Sequence, residues 1–135
     1  MINQARPRAV LKGFYIMAQM TIAQLRERTI DELVKHKTEK PTSEDYAEAR
    51  RIMNSYYRLC GLCETNLYLQ NDERRYNSRY AKECEEREER WYKRLDKQFS
   101  EIYGLHLVYC GYYPSIGMRD EHGAFYNQIF TYFYN

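Results

Sequence analysis

The stretch TSEDYAEARRIMNSYYRLCGLCETNLYL, residues 42–69, decides the fold. Within it Tyr46, Ala49, Met53, Tyr56, Cys60, Cys63 and Leu67 recur at spacings that alternate three and four. On a helix these positions form one continuous stripe. Ile52, Leu59 and Leu62 widen it beyond a coiled-coil seam, so the helix is shaped to pack in a globular bundle. Thr42 or Ser43 follows Pro41 as an N-cap. Glu44 and Asp45 put negative charge in the first turn, where the helix dipole favours it. The pattern ends near Leu69.

Upstream, Leu11, Tyr15, Ala18, Ile22, Leu25, Thr29 and Leu33 make a second stripe. It predicts a helix from about Ala9 to Lys37, with Gly13 as a weak point. Pro41 disfavours helix at Lys40 and separates the two. Downstream, Asn71 or Asp72 reads as the cap of a third helix running to about Tyr103. Its apolar positions are sparse: Tyr76, Tyr80, Cys84, Trp91, Leu95, Phe99 and Ile102. The run Glu85 to Arg90 mixes both charge signs and reads as a solvated face. Gly104 is the expected left-handed C-cap.

The period then changes. Leu105 to Cys110 reads as a strand. Gly111, Pro114 and Gly117 punctuate a turn-rich loop, and Arg119 to Gly123 a polar turn. From Ala124 to Asn135, the spacing of Phe125, Ile129 and Phe133 fits a helix, while the aromatic density fits a strand. Strand is favoured for part of it, pairing with 105–110 as a hairpin. The expected fold class is mainly α (α+β). It has three helices, two of them a long antiparallel helical hairpin, and a small C-terminal β-hairpin or strand–helix cap. One domain spans 1–135, with 1–8 flexible, 9–103 helical and 104–135 an aromatic-rich α/β cap.

At 135 residues the chain has room for one modest core and none for a separate cofactor domain. Leu, Ile, Val and Phe together fall just under the fraction of about 20 % that warns of disorder. Disorder also requires high net charge and few aromatics, whereas the net charge here is +2 and 15 residues are Tyr. The expectation is a folded chain whose core and surface both lean on tyrosine. No apolar run approaches the roughly 18 residues of a membrane-spanning helix. No uninterrupted apolar h-region precedes a small-residue cleavage site, so no signal peptide is expected. A cytoplasmic location with four reduced cysteines follows. The basic excess lies in the N-terminal third, a mild lean toward an anionic partner.

Cys60-Gly61-Leu62-Cys63 is a CxxC motif. A zinc site would need two more ligands, for which Cys84, Cys110 and His106 are available, but a second ligand pair at metal spacing is missing. A thioredoxin-like site would open a helix after a strand. This motif lies mid-helix on the seam of Met53 and Tyr56, so the favoured reading is buried core thiols. The metal set Cys60, Cys63 and His106 is the lesser alternative. His36, His106 and His122 are scattered, and no nucleophile–base motif or phosphate-binding glycine pattern is present. No enzymatic activity and no cofactor are expected.

Arg74-Arg75-Tyr76-Asn77-Ser78-Arg79-Tyr80 is the most suggestive segment. On a helix, Arg75 and Arg79 would be i,i+4 neighbours, as would Tyr76 and Tyr80. Arg neutralises phosphates and Tyr stacks on unpaired bases. The same residue types anchor protein interfaces. The plainest alternative has the tyrosines in the core and the arginines as surface charge. The C-terminal aromatics, Tyr112 and Tyr113 among them, are too many for one small layer to bury, and an exposed remainder marks a partner surface. The functional expectation is a non-enzymatic interaction protein that binds another protein through Arg74, Arg75, Tyr76, Arg79, Tyr80, Tyr112 and Tyr113. The alternative is a weak nucleic-acid-binding module centred on the first five. A chain this thin in aliphatic residues gains from self-association, so a homo-oligomer is expected. In style it is similar to small accessory proteins of phages and mobile elements, and no motif assigns it to a family.

Overall fold

Thr21 starts the first helix of the computed structural model, which describes residues 20–132. Its hydroxyl accepts from the Gln24 amide at 3.1 Å, and Gln24 Oε1 accepts from the Thr21 amide at 2.9 Å. This capping box opens α1, Ile22–Lys37. The helix therefore does not begin at Ala9. The expected stripe residues Leu11, Tyr15 and Ala18, like Gly13, lie outside the described residues. Thr29, Ile30, Leu33 and Val34 form its buried face.

Thr42 closes a second capping box with Asp45 and opens α2, Ser43–Gln70. Asp45 also meets Lys37 at 2.9 Å, and Lys37 meets Glu48 at 2.7 Å. The end of α1 is thereby tied to the start of α2. The Thr42 amide, then the Lys37 ammonium, hold the Asp45 carboxyl down to about 2. Along α2, Ala49, Met53, Tyr56, Cys60 and Cys63 are buried, joined by Ile52, Leu59 and Leu62. Tyr46 and Leu67 at the two ends are half-buried. The stripe read from the sequence is the core seam.

The third helix, α3, spans Arg79–Tyr103. Asp72 does not cap it. The Asp72 carbonyl accepts from the amides of Arg75 and Tyr76, and its carboxylate accepts from the Arg74 amide, which folds residues 71–78 into turns. Such local bonds compete directly with a helix start. Ser78 is the cap, accepting from the Ala81 amide at 3.1 Å. Gly104 ends α3 in the left-handed conformation, with φ 66°.

The C-terminal part departs furthest from expectation. It is a three-stranded antiparallel sheet in the order β1 (His106–Cys110), β2 (Tyr113–Arg119), β3 (Phe125–Thr131). The strand read over 105–110 is there, and 124–135 is strand as far as Thr131. Phe133 and Tyr134 lie outside the described residues. The two do not pair with each other, and the cap is neither a β-hairpin nor a strand–helix unit. The segment read as a turn-rich loop supplies the central strand, β2.

Two residues that argued for a loop are accommodated in specific ways. Pro114 pairs with Tyr109 of β1 but lies one step past the last β2–β3 pair, Ser115–Thr131. A residue without an N–H removes no rung there. The Tyr56 hydroxyl occupies that position instead. It donates to the Pro114 carbonyl at 2.6 Å and accepts from the Tyr132 amide at 3.0 Å. Gly117 lies beneath the Phe125 ring, where a Cβ would come within 2.5 Å of a ring carbon. There the glycine permits close approach rather than a turn.

The sheet packs on the helices through Leu105, Leu107, Ile116 and Phe130, which join Tyr56, Phe99 and the apolar faces of α1 and α2 in one core. Tyr56 makes edge-on contacts with Tyr57 and Phe130, both at 5.6 Å. The outer edge of β1 is met by α3. The Leu107 amide donates to Asp96 at 2.7 Å, and the Leu107 carbonyl accepts from the Tyr92 hydroxyl at 2.5 Å. Among the described residues, no helix is long and apolar enough to cross a membrane.

Candidate interaction surface

The structure separates the seven residues expected to bind a partner. Arg74, Arg75 and Tyr76 lie in the turns before α3, and only Arg79 and Tyr80 are helical. The two-turn helical face expected for them does not form, because Asp72 draws the first three into its own turn. Both tyrosines are in water, Tyr76 at 52 % exposed and Tyr80 at 55 %. Neither is a core residue. Arg79 pairs with Glu83 at 3.1 Å and Arg75 more loosely with Asp72 at 3.9 Å. Exposed pairs of this kind are weak and leave the guanidinium free to exchange partners. The neighbouring Cys84 thiol raises the Tyr80 phenol, while the Arg87 and Arg75 charges oppose the rise.

Tyr112 and Tyr113 behave differently from each other. Tyr112 sits in the turn between β1 and β2, 66 % exposed. Tyr113 is committed to packing: it donates to Glu64 at 3.1 Å and sets its ring edge-on to Tyr132 at 4.9 Å.

Tyr112 also lines an open cavity of about 280 Å³, between the C-terminal end of α2, Glu88 of α3 and the β1–β2 turn. A hydrogen-bonded cluster lines it. Glu88 accepts from Asn66 Nδ2 at 2.8 Å and from the Tyr109 hydroxyl at 2.8 Å. Asn66 Nδ2 also donates to the Cys84 carbonyl, while the buried Asn66 Oδ1 has no partner among the described residues. The Tyr109 ring stacks on Tyr92 with centroids 4.9 Å apart. Burial, then the bond to the Glu88 carboxylate, pushes the Tyr109 phenol far up. Cys84, whose carbonyl accepts from Asn66, lies one helical turn from the exposed Tyr80. Exposed tyrosines from the start of α3 and from the β1–β2 turn therefore gather at one end of the molecule.

Sequence reading missed three members of this end. Asn66 is a buried polar residue on a face otherwise read as apolar. Glu88 belongs to the run taken as a solvated face, yet it is the glutamate one turn from Cys84 and Trp91 on the inward side of α3. That spacing was the available signal. Tyr109 lies on a strand whose burial could not be assigned before the helix beside it was known.

Cys60 and Cys63 face the core. Burial pushes the Cys60 thiol up to about 12 and raises Cys63 as well, where the Glu88 charge adds to the effect. Thiols held protonated in this way are poor nucleophiles and poor ligands. His106 instead faces Asp96, with Nδ1 3.7 Å from Oδ1. Among the described residues, no three His, Cys, Asp or Glu side chains come together in a way that could hold a metal ion. The chain matches no protein-family model, and neither curated proteins nor solved structures show a detectable similarity to it.

Proposed function

We propose that the chain is a non-enzymatic binding protein that docks on another protein through the tyrosine-lined end formed by Tyr76, Tyr80, Tyr109 and Tyr112. One observation carries this reading. Large rings stand in water at that end although the core is already filled by other aromatics. Exposed tyrosine flanked by arginine is the composition of an interface anchor, because the ring gives contact area at low entropic cost. Arg74, Arg75 and Arg79 rim the surface and would steer an acidic partner more than hold it. The thin aliphatic core makes a homo-oligomer part of the reading. We also infer that α2 and α3 run antiparallel. Asn66 meets Glu88 near one end, and at the other Tyr103 feels the charges of Glu48 and Asp45.

The test is the double variant Tyr80→Ala/Tyr112→Ala, both positions being exposed and free of core contacts. Proteins retained by the immobilised wild type at high salt, and lost by a folded double variant, support the surface. Equal retention by both overturns it. Sedimentation velocity on the same pair tests self-association, which the double variant should weaken.

A second reading, nucleic-acid binding by Arg74, Arg75, Tyr76, Arg79 and Tyr80, is favoured by the exposure of both rings and all three arginines along one short segment. Oligonucleotide anisotropy decides it. Affinity must fall steeply with salt and again in Arg75→Ala/Arg79→Ala.

A further inference from the structure

A second concavity runs between α2 and α3. Its volume is about 350 Å³, and Ser55, Arg58, Trp91, Arg94, Leu95 and Gln98 line it. Ser55 and Arg58 are one turn apart on α2. Trp91, Arg94, Leu95 and Gln98 occupy two successive turns of α3, so the two helices present their side chains to each other across the gap. Its volume falls at the small end of ligand sites.

The chemistry of the lining is one-sided. Two guanidiniums enter from opposite helices, and no carboxylate faces them. On these helices some exposed cations are paired, Arg51 with Glu44, Arg79 with Glu83 and Lys93 with Glu89, and others are not. Among the described residues neither Arg58 nor Arg94 has an acidic side chain within ion-pair distance. Bringing two like charges to one cleft is unfavourable until an anion neutralises them. A guanidinium offers a planar fork of donors that fits phosphate oxygens, and the Gln98 amide and Ser55 hydroxyl add neutral donors beside it. The floor is aromatic. Trp91 is half-buried and packs against both clusters of the core, which fixes its indole plane. An indole held at the bottom of a cationic cleft suits a flat, electron-poor ring.

We propose that this groove binds a nucleoside phosphate, with the phosphate held between Arg58 and Arg94 and the base lying against Trp91. The source is either a free nucleotide or the phosphorylated end of a single strand, which share that chemistry.

The chain contains a single tryptophan, so its fluorescence reports on this groove. The probes are the four ribonucleoside monophosphates, their nucleosides, inorganic phosphate and a 5′-phosphorylated trinucleotide. At least one monophosphate should change Trp91 emission saturably below about 1 mM. The matching nucleoside and inorganic phosphate should each bind at least about tenfold more weakly, since each lacks half of the contacts. Arg58→Gln and Arg94→Gln, both at exposed positions, should each weaken the monophosphate about tenfold while circular dichroism stays unchanged. Arg79→Gln, outside the groove, should leave it unaltered. A trinucleotide that binds tighter than the monophosphate assigns the groove to a strand end, and equal or weaker binding assigns it to the free nucleotide. No saturable change up to about 10 mM monophosphate overturns the proposal. So does inorganic phosphate binding as well as the nucleotide, or an affinity indifferent to both arginine substitutions.

Discussion

Replacing Tyr56 by Phe removes one oxygen and leaves the ring. The edge-on contacts with Tyr57 and Phe130 are kept, so the packing of the core is unchanged in kind. What is lost is the link between the central strand and the chain leaving β3. The Pro114 carbonyl loses its donor at 2.6 Å and the Tyr132 amide its acceptor at 3.0 Å. Pro114 is fully buried and Tyr132 partly so, so water replaces neither bond freely. An unsatisfied buried polar group costs about 1–3 kcal/mol. Two such groups, one of them only partly buried, set the expected loss at about 2–3 kcal/mol. Urea unfolding should show it as a lower midpoint at an unchanged m-value. The Tyr132 amide should also exchange with solvent faster in the variant. A loss below about 0.5 kcal/mol with Tyr132 still protected would refute the reasoning, because one direct rung from Tyr132 to Pro114 would then suffice.

Other outcomes follow from the same contacts. Gly117→Ala places a methyl 2.5 Å from the Phe125 ring and should destabilise by about 1–3 kcal/mol; Gly117→Ala combined with Phe125→Leu should recover part of that in a thermal melt. Burial raises the phenols of Tyr56, Tyr57 and Tyr103, the last two to about 12. A group whose folded pKa lies above its unfolded value gives stability that is complete below about pH 10 and lost as pH rises through the folded value. Urea midpoints should therefore fall between pH 10 and 12, Tyr56 alone contributing a slope of about 1.4 kcal/mol per pH unit. At the acid end the sign reverses for Asp45. Its carboxylate supports the α2 cap above about pH 4 and is lost as pH falls toward 2, so the amides of Thr42 and Asp45 should lose exchange protection first over that interval. Of the four cysteines, Cys110 alone is exposed and should react quickly with a thiol reagent, while Cys60, Cys63 and Cys84 react only on unfolding.

The helices were legible where one face of the sequence repeats without interruption. The stripe from Tyr46 to Leu67 and the glycine stop at Gly104 are properties of the local chain, and the structure has both. The start of α3 was not legible in the same way. Asp72 and Ser78 are both good caps, and Tyr76 and Tyr80 continue the helical spacing backwards. The turn bonds of Asp72 and the missing burial of those two rings together decide for Ser78. β2 was illegible for a different reason. Pro114 and Gly117 carry the local signals of a loop. What makes them strand residues is a phenol 58 positions away and a ring from the neighbouring strand. No window of sequence holds both halves of the first contact, and the second, though only eight positions long, depends on the β2–β3 register. The tyrosine-lined end divides likewise. That some tyrosines stand in water follows from the surplus of rings over core, but which ones, Tyr112 and Tyr80 among them, does not. That Glu88 bonds Asn66 and Tyr109 depends on three elements meeting.

The Leu107 peptide, with its amide on Asp96 and its carbonyl on Tyr92, has a consequence for how the sheet can grow. Both of its hydrogen-bonding groups are spoken for by a helix, so a strand arriving at that flank finds no template there. Among the described residues the flank of β3 has no strand beside it. Strand addition is therefore blocked at the Leu107 step of β1, which biases any edge pairing toward the opposite flank of the sheet.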